Sequence, residues 1–235
     1  MNKLSYAHMM KELAPVNLAY LPEIGFSVLR NITLLSVEPC LKYKCYLDGY
    51  RLNCLFVEFD NVYQEAVGGD DRLFAPGVHC IFLVLNLDSL SAGLSRRFPG
   101  LTVQEIENEK ERVCSYIDDV LAGIRQQTSA MILWAGFEHP VYPATGILDA
   151  QQEHSQSSVI TDLNNYVRSR LRQMDAAYFL DTSMILSRVG ADHFYDYRYW
   201  HIGKAPYSRA ALQEVAAEVI KYLRPVMGKT RKCLV

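Results

Sequence analysis

Apolar residues fall into two kinds of stretch along this chain. Some are short continuous runs of four to six; others recur every three or four positions over one to several turns. The first pattern suits strands covered on both faces, the second helices with one buried stripe. Strands are predicted at 26–29, 52–57, 80–85, 131–134 and 177–180, and helices at 3–14, 37–47, 61–67, 103–124, 157–171 and 208–223. The helix over 103–124 is the clearest, because Val113, Tyr116, Ile117, Val120, Leu121 and Ile124 keep three-then-four spacing. Breakers stand between the elements: Pro15, then a linker over 15–25 with Pro22 and Gly25, then Asp48-Gly49, Gly68-Gly69 and Arg224-Pro225. The polar stretch 151–158 reads as a loop, and 192–208 as one irregular, aromatic-rich loop before the last helix.

Strands that alternate with helices specify a parallel sheet with helices on both faces. The fold class is therefore α/β, a three-layer α/β/α sandwich of flavodoxin-like type. Right-handed crossovers favour the strand order 2-1-3-4-5. Such sheets bind ligands beyond the carboxyl ends of their strands. The positions to watch are Arg30-Asn31-Ile32-Thr33, Glu58-Phe59-Asp60, Asn86-Leu87-Asp88-Ser89, Ala135-Gly136-Phe137-Glu138-His139 and Asp181-Thr182-Ser183. Asn31, Asn86, Asp196, Arg198 and His201 are expected to gather at that edge.

Composition narrows the class. Hydrophobic residues make up 50% and charged residues 21%, enough apolar material for one large core. A net charge of −2 argues against nucleic acid as a partner, which would need a basic field. The six cysteines are scattered, with no CxxC pair, and fit reduced thiols rather than a disulfide frame or zinc site. No apolar run approaches membrane-spanning length and the N-terminus has no apolar signal core, so the expected location is cytoplasmic, with no membrane partner. No His pair sits at i, i+4, and P-loop, GxGxxG and GxSxG motifs are absent. No metal or cofactor is expected in this stretch of chain.

The densest chemistry lies late. Asp192-His193-Phe194-Tyr195-Asp196-Tyr197-Arg198-Tyr199-Trp200-His201 leads into Ile202-Gly203-Lys204-Ala205-Pro206-Tyr207-Ser208. A late Asp and His can activate a nucleophile by proton transfer, which makes Asp196 and His201 the catalytic candidates. The plain structural alternative has the aromatics closing an end of the sheet and the charges facing water. It is the reading taken for His193. Ser208 suits the N-cap of the last helix.

Three stretches carry a family resemblance: Leu29-Arg30-Asn31-Ile32-Thr33 with Pro39-Cys40-Leu41-Lys42; Asp181 with Asp196-Tyr197-Arg198-Tyr199-Trp200 running to Ser208; and Gly228-Lys229 with Arg231-Lys232-Cys233-Leu234-Val235. Together they resemble the N-terminal SGNH-hydrolase-like domain of the FkbH-like proteins. The resemblance spans 25–235 and implies a domain over 25–225, preceded by a helix and linker over 1–24. Residues 226–235 would be a linker and the first strand of a haloacid-dehalogenase phosphatase domain. The basic linker and apolar end of the tail read independently as a cut through a longer protein, an ordinary frayed terminus being the plainer alternative. Full-length relatives are implied to take a glyceryl unit from 1,3-bisphosphoglycerate, a phosphoglycerate-type substrate, and load it onto an acyl carrier protein for polyketide-type biosynthesis. Mg2+ would belong to the phosphatase domain.

The departures matter as much. An SGNH hydrolase carries its nucleophilic Ser just after the first strand, where this chain has Ile32. The Gly-x-Asn-Asp block becomes Asn86-Leu87-Asp88, and Asp-x-x-His becomes Asp196 and His201 with a longer gap. The reading that follows is a non-hydrolytic docking or scaffold module, with Asn31, Thr33, Asn86, Arg198 and Lys204 as substrate- or partner-binding residues. The alternative is an esterase or acyltransferase with an unusual nucleophile, Thr33 or Cys40. Cys233 is either an acyl-carrying thiol or a buried strand cysteine.

Overall fold

A computed structural model describes residues 5–69 and 71–229. Helix α1 (Tyr6–Leu13) leads to β1 (Glu23–Arg30), α2 (Glu38–Leu47), β2 (Arg51–Phe56), α3 (Val62–Gly68) and β3 (Val78–Val84). Then come α4 (Leu87–Leu90), α5 (Val103–Gln127), β4 (Met131–Ala135), α6 (Gln156–Leu171) and β5 (Ala177–Leu180). The chain closes with α7 (Thr182–Val189), α8 (Ala191–Phe194), α9 (Tyr197–Gly203) and α10 (Arg209–Val226). The five strands form one sheet in the order β2-β1-β3-β4-β5, and every pairing is parallel. This is the expected α/β/α sandwich.

Alternation along the strands divides the core into two. Phe26, Val28, Cys80, Phe82, Met131 and Leu133 face one side, where α1, α2 and α10 pack. Leu29, Ile81, Leu83, Ile132 and Trp134 face the other, under α3, α5 and α6. Because both faces are covered, the central strands read as continuous apolar runs rather than alternating ones. The long helices follow from the same logic: α10 buries Leu212, Val215, Ala216, Val219, Ile220 and Leu223, a stripe at helical spacing. A capping box of Thr102 and Glu105 fixes the start of α5.

Three boundaries differ from expectation, each for a local reason. Strand β1 begins at Glu23 and so includes Gly25, placed in the linker by sequence. A Cβ there would lie 2.1 Å from the Gly77 carbonyl oxygen, so the close approach of two backbones requires glycine. Helix α10 continues through Pro225 to Val226: proline removes a single N–H, in the last turn, and Met227 still donates to Leu223. The supposed irregular loop contains α8 and α9; α9 is started by a side-chain cap at Asp196 that accepts from Tyr199 N at 3.4 Å, whereas α8 follows Gly190 with no side-chain cap. These helices are too short for periodicity to reveal.

At the amino-terminal edge of the sheet the end of α10 is clasped. Arg224 pairs with Asp48 at 2.9 Å, Tyr50 donates to the Met227 carbonyl, and Lys229 donates to the Asp48 carbonyl. Helix α1 packs on α2: Met9 is buried, and the Tyr43 hydroxyl donates to Glu12 at 2.6 Å. Among the described residues no helix is long and apolar enough to cross a membrane.

Candidate functional site

The segment leaving β1 is committed to structure. Arg30 donates through Nη1 to the Ile32 carbonyl at 2.9 Å and lies over the rings of Phe56 and Phe59. The Asn31 amide spans to the loop after β3, donating to the Asn86 carbonyl at 3.1 Å and accepting from Asn86 N at 2.6 Å. Asn86 in turn caps α4 by accepting from Asp88 N at 2.9 Å. Ile32 is 0% exposed and belongs to the core beside α10. Thr33 Oγ1 donates to the Gly203 carbonyl at 2.5 Å, and Thr33 N donates to Lys204 O at 2.8 Å. Cys40 is buried in α2, and burial pushes its thiol pKa up.

The late segment is arranged differently from a catalytic dyad. Asp196 caps α9, whereas His201 sits exposed in its last turn. No hydrogen bond or ion pair joins the two. Arg198 is exposed and stacks over Tyr199 at 4.9 Å, and Lys204 lies over Trp200 at 4.4 Å. Asp181 caps α7 and pairs with Arg168 at 3.1 Å. Ser208 caps α10 as expected, accepting from Ala211 N at 3.1 Å, and it also donates to the His193 carbonyl. Cys233 lies outside the described residues. Thus Asn31 and Asn86 are joined, and Thr33 is tied to the end of α9, while no hydrogen bond or ion pair links the side chains of Asp196, Arg198 and His201 to that group.

The open space lies one strand further across the sheet. A cleft of about 450 Å3 is bounded by the loops after β3 and β4 and by the chain running through α9. Asn86 lines it, but the other lining groups of consequence are Glu138, His139, Asp88 and Arg96, with Tyr142, Tyr195, Tyr197 and Trp200 as aromatic walls. One wall is held rigidly. Gln156 is buried, donates to the Leu94 and Ser95 carbonyls at 3.1 and 2.9 Å, and accepts from Ala144 N at 2.9 Å. Asp149, also buried, accepts from Gln156 N at 2.9 Å.

Glu138 is the group with unusual chemistry. It follows β4 directly and accepts a hydrogen bond from the Tyr207 hydroxyl. Burial pushes its pKa up from the ordinary value to about 7, although the Tyr207 bond favours the charged form. The Tyr207 and Tyr195 phenols are held protonated, chiefly by burial and then by the adjacent carboxylate. Burial lowers the pKa of His139, against the pull of Asp149 and Asp181. Asp88 and Arg96 pair with each other at 2.6 Å. A carboxyl that exchanges its proton near neutrality can act as acid, base or charge partner. Its position after an apolar strand was visible in sequence. Its partner Tyr207 lies 69 residues away, and no spacing rule joins them. Among the described residues no three His, Cys, Asp or Glu side chains are grouped to hold a metal ion.

Comparison with known proteins finds no matching family model and no matching curated protein. Solved structures do match. The N-terminal part of the protein BF1531 from Bacteroides fragilis, containing a phosphatase domain and complexed with Mg, superposes with a TM-score of 0.80 at 13% identity. The match covers 98% of this chain and 59% of that one, so the chain spans about three fifths of that structure's length. LAE5, an α/β hydrolase enzyme from the metagenome of Lake Arreo, gives 0.53 at 10% identity over 92% of this chain and 100% of its own. The lipase Lip_vut3 from a goat rumen metagenome gives 0.50 at 10% identity, covering 86% of this chain and 97% of its own. The domain therefore has an SGNH-hydrolase-like fold. At these identities the likeness is one of fold alone.

Proposed function

We propose that this chain is the N-terminal domain of an FkbH-like protein, and that it works as a non-hydrolytic docking or scaffold module. In this reading a following phosphatase domain of haloacid-dehalogenase type takes a glyceryl unit from 1,3-bisphosphoglycerate and the whole protein loads it onto an acyl carrier protein. The observation that carries the non-hydrolytic part is Ile32, fully buried where an SGNH hydrolase keeps its serine. A nucleophile must be a side chain with an activated oxygen, sulfur or nitrogen, and Ile32 has none. The fold shared with the N-terminal part of BF1531, a phosphatase-containing protein, supports the two-domain arrangement. Mg2+ would belong to that second domain, and Cys233 would be a buried strand cysteine at its start, an acyl-carrying thiol being the alternative. A cytoplasmic setting belongs to the same proposal. The free cysteines of the described chain support it.

The esterase alternative needs Thr33 or Cys40 as nucleophile. The Thr33 hydroxyl is already donated to a backbone carbonyl, and the Cys40 thiol is buried and held protonated.

The test compares residues 1–235 with the longer gene product. The fragment is expected to hydrolyse no short acyl ester and to release no phosphate from 1,3-bisphosphoglycerate, while the longer protein releases it. The fragment is also expected to bind a cognate carrier protein more weakly as salt rises, through Arg198, Lys204, Arg209 and the basic tail. Phosphate release by the fragment, or ester turnover lost on Thr33→Ala or Cys40→Ala, overturns the division of labour.

A further inference from the structure

The cleft beside β4 has a chemistry that neither the glyceryl-loading reading nor the SGNH fold accounts for. Its inner wall carries a carboxyl group, Glu138, whose one side-chain partner is the Tyr207 hydroxyl. Among the described residues no basic side chain pairs with Glu138. Among the described lining residues the one arginine, Arg96, is already engaged by Asp88. Tyr142, Tyr195, Tyr197 and Trp200 form the sides. Aromatic faces carry a negative quadrupole and attract cations. This part of the protein already uses that property, since Trp200 holds the Lys204 ammonium and Tyr199 the Arg198 guanidinium. An acidic group without a counter-charge, enclosed by aromatic rings, is a half-built ion pair.

We propose that this cleft is a binding site for a small organic cation, an alkylated or quaternary ammonium group seated among Tyr195, Tyr197 and Trp200 with its charge against Glu138. The apolar walls take the carbon shell of such a group, and the carboxylate takes the charge. A phosphorylated ligand is disfavoured, because its charge would meet Glu138 and Asp88, and the one arginine or lysine in the described lining, Arg96, is already paired. A plain polyol would leave the aromatic walls without a charge to answer.

The proposal has a proton linkage with a definite sign. The groups facing Glu138 are the Tyr207 and Tyr195 phenols, with His139 and the Asp88–Arg96 pair on the same cleft. The phenols stay protonated and burial keeps His139 toward neutral, so Glu138 is the group that changes charge near neutrality. A cation binds the ionised carboxylate, so binding strengthens as pH rises through about 7 and displaces a proton from part of the population.

The experiment titrates the full 235-residue chain with choline and with its uncharged carbon isostere, 3,3-dimethylbutan-1-ol, by calorimetry at pH 6 and pH 8. Choline is expected to bind about tenfold more tightly at pH 8 than at pH 6, and more tightly than the isostere at both values. Glu138→Gln, checked for an unchanged circular dichroism spectrum, is expected to lose roughly tenfold or more of the choline affinity at pH 8 and to abolish its pH dependence. Trp200→Leu provides a second variant that leaves the carboxyl in place and is expected to weaken choline more than the isostere. Equal binding of choline and isostere, a choline affinity unaffected by Glu138→Gln, tighter binding of glycerol or inorganic phosphate than of choline, or no binding of choline at all would each overturn the proposal. None of these outcomes depends on phosphate release or carrier-protein binding, so this site and the docking role stand or fall separately.

Discussion

Two neighbouring parts of the same sheet edge have opposite characters. Beyond β1, the polar side chains of Asn31 and Thr33 are spoken for: Asn31 is bonded twice to Asn86, Thr33 is bonded twice to the end of α9, and Ile32 fills the core between them. Beyond β4, one strand past β3, a carboxyl, an imidazole and four aromatic rings look into open space. Parallel sheets concentrate ligand chemistry at this edge, yet the fold does not dictate which strand supplies it. In this protein the segment that leaves β1 is part of the scaffold. The groups free to meet a ligand are on the other side of β3.

The comparison is broken most severely at Ile32. Ile32→Ser removes a buried aliphatic side chain and leaves a hydroxyl in apolar surroundings, for an expected loss of about 3–5 kcal/mol in denaturant unfolding. Restored esterase activity in that variant, without destabilisation, would mean that the position is a latent nucleophile site and not core. Asn31→Ala comes next. It leaves the Asn86 N–H and carbonyl without their partners in a largely buried place, and a loss of about 2–3 kcal/mol is expected; a change within about 0.5 kcal/mol, the usual size of a surface effect, would show that the two loops are held by something else.

Glu138 gives the smallest effect, and one of opposite sign. Its folded pKa is about 7, above its ordinary value, so the folded state favours the protonated carboxyl. That contribution is full below the ordinary carboxyl range, declines as pH rises, and is lost above about 7. Glu138→Gln keeps a neutral side chain throughout. It is expected to stabilise the protein by roughly 1–2 kcal/mol at pH 8, a value discounted because the side chain is partly open to the cleft, and to have little effect near pH 4. A thermal-unfolding series across this range measures it, and a gain that is larger at low pH would reverse the assignment.

Much of the fold was legible because it rests on strong local signals. Strands β3 and β4 are buried on both faces and so are continuous in sequence, and α5 and α10 carry long apolar stripes. What escaped depends on contacts distant in sequence. Gly25 looks like a breaker until Gly77 is brought against it. The helices α8 and α9 are a turn or two long, too short for a stripe to show, and α9 is set by its cap at Asp196. The site divides in the same way. Strand ends could be enumerated, and Asn31, Asn86 and Glu138 all stood at them. Which would face each other and which would face a cavity depended on how the loops folded back. Asp196 and His201 look like an acid–base pair in sequence, but a helix start separates their roles.

The clasp at the end of α10 has a consequence for mechanics. Helix α10 begins beside the cleft-lining segment and ends on Asp48 and Tyr50, just ahead of β2, so it crosses the domain from one pole to the other. The strands between those poles are five to eight residues long in β1 and β4, about 15–25 Å of rigid sheet. Any pull or twist applied to the chain near Lys229 acts first on the Asp48 anchor and would have to travel the length of α10 to be felt at the cleft. Helix α10 is in this sense a strut, one continuous rod that joins the Asp48 anchor to the cleft-lining segment.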